Sequence, residues 1–319
     1  MNSKLINTIL TRKHNDFLKH IDDEEIKSLI DKNAIITGGA ITSLLLNEDV
    51  NDFDYYFTNK EAVVKIANYF VKKFQEKTPN LSDKVKIYVE ESEDRVKVIV
   101  KSVGIAKEGE NNQNYQYFEQ LPEEVGSNFV DSVTNLENEN SENMEKAFTL
   151  NHVNANKGRP EKYRPVFMTS NAITLSEGVQ LVLRFYGSPE EIHKNYDFVH
   201  CTNYWVSSEK KLYLNQPALE AILSKQLYYT GSLYPIASVI RTRKFIKRGW
   251  HINAGQYLKM CFQVGELDLK NIAVLEDQLT GVDAAYFQQI IDWLKAEKEK
   301  DATFEIKVPY LISIIDKIF

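Results

Sequence analysis

Two adjacent glycines, Gly38 and Gly39, are followed twelve residues on by the acid triplet Asp52-Phe53-Asp54. The glycines end an apolar, β-branched run, Ala34-Ile35-Ile36-Thr37, and open a helical pattern from Ala40 to Leu46. A glycine turn at a helix N-terminus lets backbone N–H groups approach a phosphate with no side chain in the way. The acids open a second run, Asp52 to Phe57, whose aromatic content reads as a strand. Acids at i and i+2 of a strand share a face, roughly 6.5–7 Å apart along the chain. That separation suits two divalent ions about 3.5–4 Å apart, clamping the attacking and leaving oxygens of a phosphoryl transfer. Either half alone is common. Together, at this spacing, they point to nucleotidyl transfer. Asp52 and Asp54 would hold two Mg²⁺ ions, and Gly38 and Gly39 would cradle the triphosphate of an NTP, with Thr42 or Ser43 adding a hydroxyl.

A two-metal site usually draws a third acid from a neighbouring strand. Asp197 fits that place, because it begins an apolar run, Phe198-Val199, and follows the strand-like Leu181–Phe185. It is expected in the same sheet as Asp52 and Asp54, completing the metal site and helping to activate an acceptor hydroxyl. A fourth feature is basic. Arg241, Arg243, Lys244, Lys247 and Arg248 place five cations in eight residues on an otherwise apolar helix. Phosphates of a nucleotide or of RNA would find that field favourable, and Arg241, Lys244 and Arg248 are the expected contacts. The competing reading is a solvated helix face whose cations favour its own C-terminus near Gly249. Trp250 and Tyr257 are expected in the core. The six histidines do not cluster, and His193, His200 and Cys201 match no zinc spacing.

The elements that must position these residues follow from periodicity. Residues 4–32 read as one or two amphipathic helices. A helix is expected from Asn59 to about Gln75, with Val63, Val64, Ile66, Ala67, Phe70, Val71 and Phe74 on one side. Lys84–Glu90 and Arg95–Ser102 alternate around an acidic turn, as in a hairpin. An acidic, Asn-rich stretch over about 105–160 breaks the periodicity and reads as an inserted loop. Strand character returns at Val166–Leu175 and Val179–Tyr186, joined at Ser176-Glu177-Gly178, then in a hairpin at 204–206 and 211–214. After Pro217 the pattern is helical. The expectation is an α+β domain over 33–215 behind N-terminal helices at 1–32, then an all-helical domain over 216–319.

At 319 residues and 43% hydrophobic, the chain can bury more than one core. A net charge of −6 excludes a protein that is basic throughout, so any RNA contact must be a local patch. Two cysteines without metal spacing read as reduced thiols of an intracellular protein. No run approaches eighteen apolar residues, so no membrane partner is expected. The expected location is cytoplasmic, or the host cytoplasm or virion for a viral gene product.

Gly38-Gly39 and Asp52-Phe53-Asp54 together resemble the signature of the DNA polymerase beta-like nucleotidyltransferase superfamily. Within it the chain is most similar to the branch of class II tRNA nucleotidyltransferases and bacterial poly(A) polymerases. Gly38–Phe57 is similar to that branch's opening motif, and Thr169-Ser170-Asn171-Ala172 to its Thr-x-Asn-Ala strand. Ile240–Phe245 with Gly249-Trp250 is similar to its neck helix. Where that branch carries Arg-Asp after the glycines, this chain has Thr42-Ser43, and Val166-Phe167-Met168 stands where an acid is usual. The resemblance implies a nucleotidyltransferase-like mixed sheet flanked by helices, Asn171 at the nucleotide, and an RNA 3′ end as acceptor. Two alternatives remain open. One is transfer of NMP to a protein hydroxyl, as in toxin–antitoxin relatives. The other is a catalytically silent fold kept for binding or structure.

Overall fold

The computed structural model describes residues 2–77, 85–93, 95–102, 114–115, 117–119 and 161–279. Most of the acidic insertion expected over 105–160 and the chain beyond 279 lie outside them.

The N-terminal helices form where apolar residues recur at helical spacing behind a capping side chain. Helix α1, Ser3–Lys19, starts at Asn2, whose Oδ1 accepts from the Leu5 N–H at 2.8 Å. Its buried stripe is Ile6, Leu10, His14, Phe17 and Leu18. Helix α2, Glu24–Asn33, is capped by Asp23 and runs straight into strand β1, Ala34–Thr37, whose four residues are all buried. Helix α3, Gly39–Leu46, stops at Asn47 in the left-handed region, a usual helix stop. Strand β2, Phe53–Phe57, follows. Helix α4, Lys60–Lys77, buries Ala62, Val63, Ile66, Ala67, Phe70, Val71 and Phe74, close to the expected face.

Strands β3, Val85–Glu91, and β4, Val96–Ser102, form the expected antiparallel hairpin, and β5, Asn114–Tyr115, adds to β4 in a three-stranded sheet. The remaining strands are β6, Tyr117–Glu119; β7, Pro165–Thr169; β8, Ala172–Leu175; β9, Val179–Tyr186; β10, Tyr204–Val206; and β11, Lys211–Tyr213. They join β1 and β2 in an eight-stranded mixed sheet, ordered β11-β10-β1-β2-β9-β8-β7-β6. β1 and β2 are antiparallel, β2 and β9 parallel, and β6 to β9 a meander. The sheet packs helices on its Tyr55 side, where Phe17 meets Tyr55 edge-on at 5.4 Å and stacks near Phe70 at 6.3 Å. Each such ring contributes about 1.5–3 kcal/mol by leaving water.

Two compact units divide the chain. The first is Met1–Tyr186 with Trp205–Lys211, and the second is Gly187–Tyr204 with Leu212–Phe319. This differs from the expected divisions at 32 and 215. The N-terminal helices are built into the first unit, because Phe17 and Trp205 share its core, and residues 187–204 go with the helices that follow. In the second unit, Pro189–His193 (α5) opens with a Ser188–Glu191 capping box. Helices α6, Gln216–Ser224; α7, Pro235–Lys247; α8, Ala254–Gly265; and α9, Ile272–Leu279, follow. Their core gathers Phe198, His200, Phe245 and Trp250, with ring centroids 4.3–5.8 Å apart. Trp250 is buried as expected, whereas Tyr257 is 43% exposed, contrary to a core role. Among the described residues no helix is long and apolar enough to cross a membrane.

Candidate active site

Gly38 joins β1 to α3 with φ 94° and ψ −151°, a region that side-chain-bearing residues avoid. Its glycine therefore has a backbone reason. Gly39 has none. It is the first residue of α3, and a Cβ built on it would meet nothing within 4 Å. The first N–H groups of a helix have no intrahelical acceptor, and Gly38 offers no side chain to take them. The α3 N-terminus thus has no side-chain cap from Gly38, a setting in which a helix end can take an anion. Thr42 and Ser43, expected to add hydroxyls to it, are 2% and 6% exposed.

Strand register sets the acids beside this turn. Thr37, the last residue of β1, pairs with Asp54, so the glycine turn leaves the sheet at the level where the acids enter it. Asp54 stands within β2, whereas Asp52 precedes it: the strand begins at Phe53, one residue later than the sequence suggests. Both carboxylates are partly exposed. What holds Asp52 is the turn before β9. The Phe53 N–H donates to the Gly178 carbonyl at 2.9 Å. Gly178 has φ +61°, and a Cβ there would lie 2.6 Å from the Asn51 carbonyl oxygen and 3.7 Å from Asp52 Oδ1. Only glycine lets these two loops touch. Gly178 was visible in the sequence as a turn residue, but nothing local tied it to the acids.

A cation also flanks this corner. Lys13 on α1 donates from Nζ to the Glu177 carbonyl and lies 5.1 Å from the ring centroids of both Phe53 and Tyr163. Burial holds its ammonium below the usual lysine range, against the pull of Glu177, Asp16 and Asp52. No sequence motif pointed to Lys13, because its partners lie far along the chain.

Other expected site residues have structural duties. Asn171 sits in the β7–β8 turn, where its Oδ1 accepts from Arg95 Nη2 at 2.8 Å. The Thr169 hydroxyl accepts from the Asn171 N–H at 3.2 Å and the Ala172 N–H at 3.0 Å, so this motif closes a turn. Asp197 is not on a strand. It occupies a bend in the second unit, between α5 and the 3₁₀ turn Val199–Cys201. Its carboxylate is 8% exposed and pairs with Arg241 at 2.9 Å. One ion pair thus joins a residue expected at the metal, Asp197, to one expected at the nucleotide, Arg241. Phe198 bridges Tyr229 rather than a sheet strand. Among the described residues no group of three His, Cys, Asp or Glu side chains that could hold a metal is found. Along α7, Arg243, Lys244 and Lys247, with Arg248 just beyond it, are exposed.

A mixed sheet flanked by helices, followed along the chain by further helices, defines the class of fold. The sequence places the chain more narrowly. It matches the profile described as "Gabija anti-defense 2 family protein" over residues 8–225, about two thirds of its length. The chain belongs to the Gabija anti-defense 2 family. Among solved structures it is similar to the Thermotoga maritima CCA-adding enzyme complexed with tRNA, at 11% identity and a TM-score of 0.37, over 88% of this chain and 54% of that one. A tRNA-processing enzyme with CTP is similar at 10% identity and a TM-score of 0.34, over 82% and 54%. The chain spans about half the length of these structures. No curated protein matches it.

Proposed function

We propose that this protein is a metal-dependent nucleotidyltransferase, moving NMP from an NTP to a hydroxyl. The observation that carries this reading is Gly39, a helical glycine with open space around it, level with an acid pair. A side chain there would disturb nothing in the fold, so its absence serves a ligand that approaches the backbone. Triphosphate is the ligand that a helix N-terminus opened by two glycines beside carboxylates suits. Asp52 and Asp54 offer hard oxygen donors, which fit Mg²⁺, an ion that commonly takes one or two carboxylates along with substrate phosphates. Bound there, Mg²⁺ would supply Lewis-acid stabilisation of phosphate charge. The α3 amides would hold the triphosphate while the acceptor oxygen bonds to the α-phosphorus. The bond from that phosphorus to its bridging oxygen breaks, pyrophosphate leaves, and the hydroxyl proton passes to solvent.

An RNA 3′ end is the first acceptor to test, supported by the exposed cations Arg243, Lys244, Lys247 and Arg248. Membership of an anti-defence family favours a second acceptor, a hydroxyl on a protein of the opposed defence. Incubation with labelled NTP, Mg²⁺ and mixed RNA and protein separates the two by which fraction takes label. Asp52→Ala should abolish labelling while leaving the thermal transition in place. Full activity in that variant would mean that the site is elsewhere. Calorimetry showing no uptake of Mg²⁺ or NTP by the wild-type chain would leave a silent, structural protein.

A further inference from the structure

Adjacent rows of the large sheet differ in a way that the transfer reaction alone does not require. One cross-strand row runs Ile36, Tyr55, Leu181, Ile173, Met168, and every member is fully buried or within 1% of it. The next row, one residue along and so on the opposite face, runs Thr37, Asp54, Gln180, Thr174 and ends on β7 at Phe167. Its first four members are polar. An ordinary solvated sheet face would explain that only if the rest of the face were wet. It is not: two residues on, Tyr56 and Val182 of the same face are 8% and 9% exposed. Asp54 and three neutral polar residues thus stand in line on a face whose next members are apolar and nearly buried, with Arg184 the following residue of that face on β9. Gln180 and Thr174 are partly buried, amide and hydroxyl rather than the charged residues of a solvated strand.

We infer that Gln180 and Thr174 form the nucleoside-reading part of the nucleotide site, extending across the sheet from Asp54. This rests on the nucleotidyltransferase reading and names what that site recognises beyond phosphate. In-register neighbours on adjacent strands stand about 4.5–5.5 Å apart at Cβ, so the row offers a ligand held at Asp54 two further polar groups in a line. The Gln180 amide has one donor and one acceptor side, the pattern that pairs with a base edge. Thr174 adds a hydroxyl that donates and accepts. Their mutual bond, Gln180 Nε2 to Thr174 Oγ1, is long at 3.4 Å, so exchanging it for a ligand costs little. The sequence held a trace of this: Gln180 is a lone amide inside Val179–Phe185, a run otherwise apolar up to Arg184.

The test is calorimetry on the full chain with Mg²⁺, titrating four non-hydrolysable NTPs and inorganic tripolyphosphate into wild type, Gln180→Met and Thr174→Val. The expected result is a 5- to 30-fold loss of NTP affinity in Gln180→Met, with flattened preference among bases and unchanged tripolyphosphate binding. Thr174→Val, nearly isosteric, should lose less in the same direction. Unchanged NTP affinity in both variants overturns the inference and leaves the transferase reading standing. Wild-type affinity for tripolyphosphate equal to that for every NTP does the same. A wild-type chain that binds neither ligand removes both readings.

Discussion

Asp54 in the first unit and Asp197 in the second carry the same carboxylate in two different settings. Asp197 is 8% exposed, with Arg241 Nη1 2.9 Å from its Oδ2 and its own carbonyl accepting from the Thr230 N–H. Its charge is already matched inside its unit. Asp54 stands in a strand row whose register neighbours, Thr37 and Gln180, are neutral, with Asp52 two residues before it. Bringing a divalent cation to Asp197 would mean giving up Arg241, whereas Asp52 and Asp54 are two partly exposed carboxylates that can share one. The difference teaches that an acid's position in a sequence pattern does not assign its task. The charge packed against it does.

The largest test of this contrast is Asp54→Asn. Neutralising the carboxylate proposed to hold Mg²⁺ should slow NMP transfer about 10²–10³-fold, equivalent to several kcal/mol of barrier. The thermal transition should stay within a few degrees of wild type. A variant that transfers at the wild-type rate would break the comparison, since neither acid would then be functional.

Acid pH sharpens the contrast between the two units. Burial lowers His14 in the first unit to about 4, against its Asp31 partner 3.2 Å away, and lowers His193 and His200 in the second to about 4 and about 3. Each is held neutral in the folded state while the unfolded chain takes up a proton near 6.5. The stabilisation is therefore complete above about pH 6.5 and is lost as pH falls towards 4. For His14 this amounts to roughly 3 kcal/mol at most. Denaturant midpoints at pH 7 and 4.5 should differ for the wild-type chain. His14→Phe should reduce that difference for the transition reported by Trp205, whose ring lies 5.2 Å from His14. An undiminished pH response in that variant would place the acid sensitivity in the second unit.

How much of this was legible in the sequence depends on how local each determinant is. Gly38-Gly39, the acids and the buried face of α4 are written in neighbouring residues, and a period of two or 3.6 suffices to find them. Asp197 was misplaced because two apolar residues after it, Phe198 and Val199, look the same before a 3₁₀ turn as before a strand. Its true partner lies forty-four residues away in the chain, on α7. Gly178 is a turn glycine like any other until Asn51 is packed against it. Asn171 and Arg95 meet from different sheets. Register, which decides that Gln180 and not Val179 stands beside Asp54, follows from the pairing of β9 with β2 across the intervening chain.

Arg241→Met probes the structural half of the contrast. It leaves Asp197 nearly enclosed without its cation, a change that costs several kcal/mol when both partners are deep. Arg241 is 38% exposed, and solvent reaching that side reduces the expected loss to roughly 1–3 kcal/mol. Adding Asp197→Asn should restore much of the stability, and neither variant should weaken Mg²⁺-dependent NTP binding. Weaker nucleotide binding with unaltered stability would return Asp197 and Arg241 to the ligand site and erase the distinction drawn between the two acids.

The smallest effect on the fold is the most discriminating for function. Gly38→Ala and Gly178→Ala each force a side chain into a positive-φ backbone, and at Gly178 against the Asn51 carbonyl as well, so both should destabilise by about 1–3 kcal/mol. Gly39→Ala meets no such obstacle. Its Cβ enters open space at the start of α3, and replacing glycine by alanine in a helix gains about 0.5–1 kcal/mol. A purely structural glycine turn therefore predicts a slightly more stable protein with nothing else changed. A phosphate cradle predicts the same gain in melting temperature together with weaker Mg²⁺–NTP binding, because the added methyl group stands where the ligand meets the backbone. Stability and affinity moving in opposite directions at this one residue would mark the turn as made for a ligand.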